Sequence, residues 1–202
     1  MLDSVMKGIQ EDLDKEDAIR EKILPEVRKI IRNSGSAIRA THKGEFEKAK
    51  ELNDESYKII VSFEEMQKSY PLIYYKNYVI DAQQEFCESQ VFYSLVKKEN
   101  IEKITPKSLN ILNISYLLGL ADVIGELRRY TLDSIREEKI EKAEEALENM
   151  TDIYENLISF DYPSGLTPGL RKKCDVARGI IERTRGDLTM SLQLYKFTKK
   201  LK

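Results

Sequence analysis

Apolar residues recur at three- and four-residue steps along most of this chain, the spacing of one face of an α-helix. Over residues 12–42, Ile19, Ile23, Val27, Ile30 and Ile38 form such a stripe, with Arg28, Lys29, Arg32 and Arg39 between them. A long amphipathic helix is expected there, with Pro25 as a kink or fresh start and Gly44 as its stop. A second helix is expected over 45–68 and, past the Tyr70-Pro71 break, a third over 72–98. Thr105-Pro106 supplies a capping residue and a first-turn proline for a fourth helix over 106–137. Its centre, 114–127, is apolar almost all round, as in a helix enclosed by others. A fifth, acidic helix covers 139–159, the loop Phe160-Asp161-Tyr162-Pro163-Ser164-Gly165 follows, and Thr167-Pro168 opens the last helix. Few stretches alternate as strands do, and no repeat is apparent. The expected fold is all-α, a single-domain bundle of about six to seven antiparallel helices over residues 1–202.

Composition sharpens this picture in two ways. A chain of 202 residues suits one core, and its net charge of -2 conceals an uneven distribution. Residues 20–43 hold seven basic and two acidic side chains, residues 171–202 ten and three, and residues 133–155 three and nine, so two segments can attract a polyanion despite the neutral total. Cys87 and Cys174 are too few and too far apart for a disulfide framework, which fits a reducing cytoplasm. The first residues lack a signal-peptide pattern, and no apolar run is long enough to span a membrane, so a cytoplasmic protein with no membrane partner is expected.

Candidate chemistry lies in four carboxylates set within apolar stretches: Glu85 and Glu88 in Gln84-Glu85-Phe86-Cys87-Glu88, and Asp122 and Glu126 in the run from Gly119 to Leu127. A buried carboxylate without a partner raises its pKa or costs several kcal/mol, so these acids imply a partner, a cation or a polar cavity. Three- and four-residue spacing puts each pair on one helix face. Facing helices would join them into an oxygen-rich site suited to Mg²⁺ or Mn²⁺, and phosphodiester hydrolysis is the reaction such a site serves. The competing reading is a solvated acidic face. It is easier to hold for Glu85 and Glu88, flanked by Gln83, Gln84, Ser89 and Gln90, than for Asp122. A carboxylate-bridged di-iron bundle uses Glu-x-x-His pairs, and the lone His42 lies far from both acid pairs; it reads as a helix-end residue or a nucleic-acid contact.

The segment Tyr116-Leu117-Leu118-Gly119-Leu120-Ala121-Asp122-Val123-Ile124-Gly125-Glu126-Leu127 resembles the Gly-x-Ala-Asp-x-x-Gly-Glu-Leu signature of the translin superfamily. Gln84-Glu85-Phe86-Cys87-Glu88 is similar to the Gln-Glu-x-x-Glu element of its factor X branch, the catalytic partner of translin in an RNase complex. The resemblance spans nearly the whole chain. It implies a helical subunit of a hollow homo-oligomer, a hexamer or octamer, with or without a translin-like partner chain, that cleaves single-stranded RNA in a metal-dependent way. Single-stranded DNA is a further possible ligand. Carried over by position, Glu85, Glu88 and Asp122 are the Mg²⁺-binding catalytic acids, with Glu126 as a neighbouring metal ligand. The arginine- and histidine-rich stretch of translin is here Tyr74-Tyr75-Lys76-Asn77-Tyr78, leaving Lys76 as its one cation. Phosphate contacts are expected from Arg28, Lys29, Arg32, Arg39 and Lys76, and stacking from Tyr75 and Tyr78 competes with a core role for both. The alternative function is a translin-like scaffold that holds nucleic acid without cutting it.

Overall fold

The structure, a computed structural model, describes residues 2–200; Met1, Leu201 and Lys202 of the expected 1–202 domain lie outside the described residues. Nine α-helices are described: α1 (Leu2–His42), α2 (Phe46–Ser62), α3 (Glu64–Ser69), α4 (Pro71–Tyr74), α5 (Asn77–Lys97), α6 (Pro106–Leu109), α7 (Asn113–Arg136), α8 (Ile140–Ile158) and α9 (Leu170–Lys200). A single 3₁₀ turn at Ile101–Lys103 joins them, and no strand occurs among the described residues. The all-α expectation holds. None of the described helices is long and apolar enough to cross a membrane.

Three expected helices are each divided in two. The 45–68 helix breaks at Phe63, and the 72–98 helix yields a single turn, α4, before restarting at Asn77. The 106–137 helix starts as its cap dictates: Thr105 Oγ1 accepts from the Ser108 amide at 3.0 Å, and Ser108 Oγ accepts from the Thr105 amide at 2.8 Å. It stops after one turn because Asn110 adopts a left-handed conformation at φ 55°, a geometry asparagine tolerates better than most residues. The last helix begins three residues later than its Thr167-Pro168 signal, because Gly169 takes φ +80° and turns the chain before α9. In contrast, α1 runs ten residues earlier than expected and passes through Pro25 unbroken. Its first buried residue is Ile23, so the preceding helix, with Leu2, Val5, Met6, Ile9 and Leu13 all exposed, projects from the bundle.

Sequence neighbours α1/α2 and α7/α8 are antiparallel. Lys29 reaches Glu55 while Ala37 and Ala40 meet Ala49, and the α8 residues Leu157 and Glu145 pack near the start and end of α7 respectively. The pair at the centre, α5 and α7, is parallel: Gln83 meets Ser115, Cys87 meets Gly119 and Phe92 meets Tyr130. The connection over residues 98–112 is long enough to return the chain to the same end. It is fastened by the Tyr116 hydroxyl donating to the Ile104 carbonyl at 2.7 Å. Helix α9 also runs parallel to α7, with Lys173 beside Asp122 and Arg128 donating to Thr184 Oγ1 at 2.8 Å and to Asp187 at 3.0 Å. The expectation that the centre of α7 is enclosed holds, and α5 is enclosed as well: Phe86, Cys87, Val91 and Phe92 join Val123, Ile124 and Leu127 in the main core.

Candidate functional site

Gly119 sets how closely the two central helices approach. A Cβ there would lie 2.7 Å from Cys87 Cβ and 2.8 Å from the Gln84 carbonyl oxygen, closer than real atoms come, so only glycine allows this crossing. The close approach places Gln84 Nε2 2.6 Å from Asp122 Oδ2, a donated hydrogen bond that links the two acid-bearing segments. Glu85, Glu88, Asp122 and Glu126 thus form one electrostatic group, each contributing to the charge felt by Glu88.

The acids differ in their surroundings. Glu88 is buried at 9% exposure. Burial first, then the charges of Asp122, Glu85 and Glu126, push its carboxyl up to about 8, with Lys173 offsetting only part. Glu85 is raised in the same direction, by burial and then by Asp122. Neither makes a hydrogen bond or ion pair among the described residues. Asp122, half-buried, is held by the Lys173 ammonium on one oxygen and by Gln84 on the other. Glu126 Oε2 lies 2.6 Å from His42 Nε2, and the His42 ring packs on Phe92 at 4.6 Å between centroids. The expectation that His42 lies far from both acid pairs is corrected: 84 residues apart in sequence, His42 and Glu126 are in contact because α1 packs along α5 and its last residue reaches past Phe92 to α7. Its placement at a helix end was right. Lys173 went unnoticed within the run Arg171-Lys172-Lys173, which reads as an ordinary basic surface.

A hard divalent cation suits this donor set in chemistry: several carboxylate oxygens, a shared excess of negative charge and a polar wall. As placed, the side chains do not close on one point. Among the described residues no group of three or more His, Cys, Asp or Glu is arranged to hold a metal ion, since Asp122 and Glu126 are engaged by Lys173 and His42.

Of the residues expected to contact phosphates, Arg28, Arg32 and Arg39 are exposed on α1 and step toward His42. Lys29 is tied to Glu55 at 2.7 Å, and Arg39 donates to Ser36 Oγ at 2.9 Å. Lys76 caps α5 nine residues before Glu85, about 14 Å along the axis. Tyr75 is exposed and Tyr78 packs against the core, so the competing expectations divide between the two.

An acidic cluster mounted on two parallel central helices of an all-α bundle, with the signature segments on those helices, defines the class of this fold. The chain belongs to the translin family, whose model matches residues 18–184. It is 34% identical over 191 residues to the Methanocaldococcus jannaschii protein MJ0175, covering 94% of this chain and 84% of that one. Among solved structures it is similar to AfC3PO, at 34% identity and TM-score 0.85, and to AfC3PO in complex with duplex RNA, at 33% and 0.85; both cover 94% of this chain and 97% of the other. Apo-NeC3PO shares the fold at 20% identity and TM-score 0.79, over 92% of this chain and 96% of its own.

Proposed function

We propose that this chain is the metal-dependent endoribonuclease subunit of a translin-type homo-oligomer and cleaves single-stranded RNA by phosphodiester hydrolysis. The observation that carries this reading is that Glu85, Glu88, Asp122 and Glu126 share one electrostatic neighbourhood on two helices in close contact at Gly119, where burial first and the acidic neighbours second push Glu88 up to about 8. Two carboxyls, Glu85 and Glu88, that burial and nearby acids make reluctant to ionise are a poor structural element and a good receptor for a divalent cation. The similarity to a chain named as a complex with duplex RNA supports a nucleic-acid ligand. The family match over 18–184 supports reading residues 1–202 as one domain.

Mg²⁺ or Mn²⁺, when bound, supplies charge neutralisation at the phosphodiester and activation of water. Glu85, Glu88 and Asp122 would hold it, with Glu126 beside them. In the metal-free chain Glu88 is pushed up to about 8, and a cation held there would release that proton. Gln84 fixes the orientation of Asp122 through its 2.6 Å hydrogen bond. Lys173 lies where it can pass from Asp122 to a phosphate oxygen, while Arg28, Arg32 and Arg39 provide an exposed cationic row toward the same end.

The test is single-stranded RNA incubated with the protein and Mg²⁺ or Mn²⁺, with EDTA, and with folded Glu85→Gln, Glu88→Gln and Asp122→Asn proteins. Cleavage is expected to fall at least about 100-fold in each variant and to stop in EDTA. Equal cleavage throughout overturns the reading. The non-catalytic scaffold has one observation in its favour, the Lys173 ammonium already seated on Asp122 as an internal counter-ion. RNA bound but intact in Mg²⁺ would select it.

A further inference from the structure

Beside the acid cluster, the α8–α9 connection opens into a groove of about 760 Å³ that the site described above leaves unused. Its walls differ in chemistry. On one side the connection presents Phe160 and Tyr162, 41% and 58% exposed, with ring centroids 6.3 Å apart and tilted by 42°. On the other, the first turn of α9 presents Arg171 and Lys172, both exposed and neither in an ion pair among the described residues. Exposed aromatic rings on a loop are costly to keep in water without a use, and cations left unpaired beside them make a surface for an anion with flat, apolar parts. Asp161 and Asp175 share the lining, Asp161 beside the aromatic pair and Asp175 one turn along α9 from Arg171, so the anion-binding part of the groove is the Arg171 and Lys172 turn. Gly169 and Lys172 also line a second groove of about 430 Å³ that reaches Asp122 and Lys173. The two grooves share Gly169 and Lys172 in their walls, with the second facing Asp122 from the other side of α9.

We propose that the first groove is a subsite for an unpaired RNA segment: Phe160 and Tyr162 stack on its bases, and Arg171 and Lys172 hold its phosphates. Bases in a duplex are already stacked and cannot use the aromatic wall, so the groove selects single strands. The assignment rests on the RNA reading above for its ligand and adds a place where the strand is held. It requires no metal.

The experiment is fluorescence anisotropy of a labelled single-stranded RNA of mixed sequence, in EDTA and across a salt series, with the full chain, Phe160→Ala/Tyr162→Ala and Arg171→Gln/Lys172→Gln. The aromatic double variant is expected to bind about tenfold more weakly at unchanged salt slope. The cationic one is expected to lose about 1.4 units of slope, about 0.7 for each single-strand phosphate contact. Quenching of 2-aminopurine in the strand by the wild-type protein, lost in the aromatic variant, reads stacking directly. Unchanged affinity and slope in both variants overturns the subsite, as does an equal loss for duplex RNA of the same length. Wild-type protein that cleaves, together with groove variants that bind normally, removes the subsite and leaves the nuclease. Wild-type protein that binds through the groove without cleaving keeps the subsite and removes the nuclease. All four substitutions are at exposed positions, and a thermal melt confirms that the variants fold.

Discussion

The acid pair on α5 and the acid pair on α7 sit side by side yet carry their charge differently. Glu85 and Glu88 have no hydrogen-bonded cation and respond by holding their protons more tightly, Glu88 up to about 8. Asp122 and Glu126 each have a basic partner, Lys173 from α9 and His42 from the end of α1. A protein can settle a buried negative charge by protonation or by pairing, and here both are used within one cluster. On the proposed function, the α5 pair is where a cation would gain most, and the α7 pair is where it would first have to displace Lys173 or His42.

Glu88→Gln tests the protonation half and should have the largest effect. Between about pH 4.5 and 8 the unfolded chain has released the Glu88 proton and the folded chain retains it. The folded state then binds more protons, so stability falls as pH rises through this window and levels off above 8, by up to about 5 kcal/mol. Urea unfolding at pH 5 and pH 8.5 should show most of that fall in the wild type and little of it in the variant. Equal falls would mean that the α5 pair carries its charge as the α7 pair does.

Lys173→Met tests the pairing half. With both side chains about one-third exposed, water screens the loss, and about 1–2 kcal/mol of stability near pH 7 is expected to disappear. Added Mg²⁺ should recover more stability in the variant than in the wild type, because no ammonium then competes for Asp122. A thermal shift in Mg²⁺ that is the same for both proteins would break the distinction between the two pairs. His42→Asn gives the smallest effect, about 1 kcal/mol or roughly 2–4 °C in Tm, from the lost Glu126 bond and Phe92 contact. An unaltered Mg²⁺ response in that protein would sharpen the picture by separating Glu126 from the other three acids.

The acids themselves were legible because an Asp in the run from Gly119 to Leu127 violates the apolar pattern around it. Their partners were not. Lys173 follows two other cations and breaks no pattern, and His42 marks a helix end without saying what that end meets 84 residues later. Helix existence followed from spacing, but boundaries depended on backbone choices that periodicity does not register: left-handed Asn110, positive φ at Gly169, and the restart at Asn77. The projecting start of α1 shows the converse. Leu2, Val5, Met6 and Ile9 keep helical spacing, and the structure makes the helix there without burying that face.

The contact at Gly119 has one more consequence. Because backbone and Cβ atoms there leave no room for even a methyl group, the distance between the two acid-bearing segments is gauged by the main chain itself and not by the sizes of neighbouring side chains. What side chains set is the cluster's perimeter, Lys173 on the Asp122 flank and His42 on the Glu126 flank, around a frame whose spacing the backbone fixes.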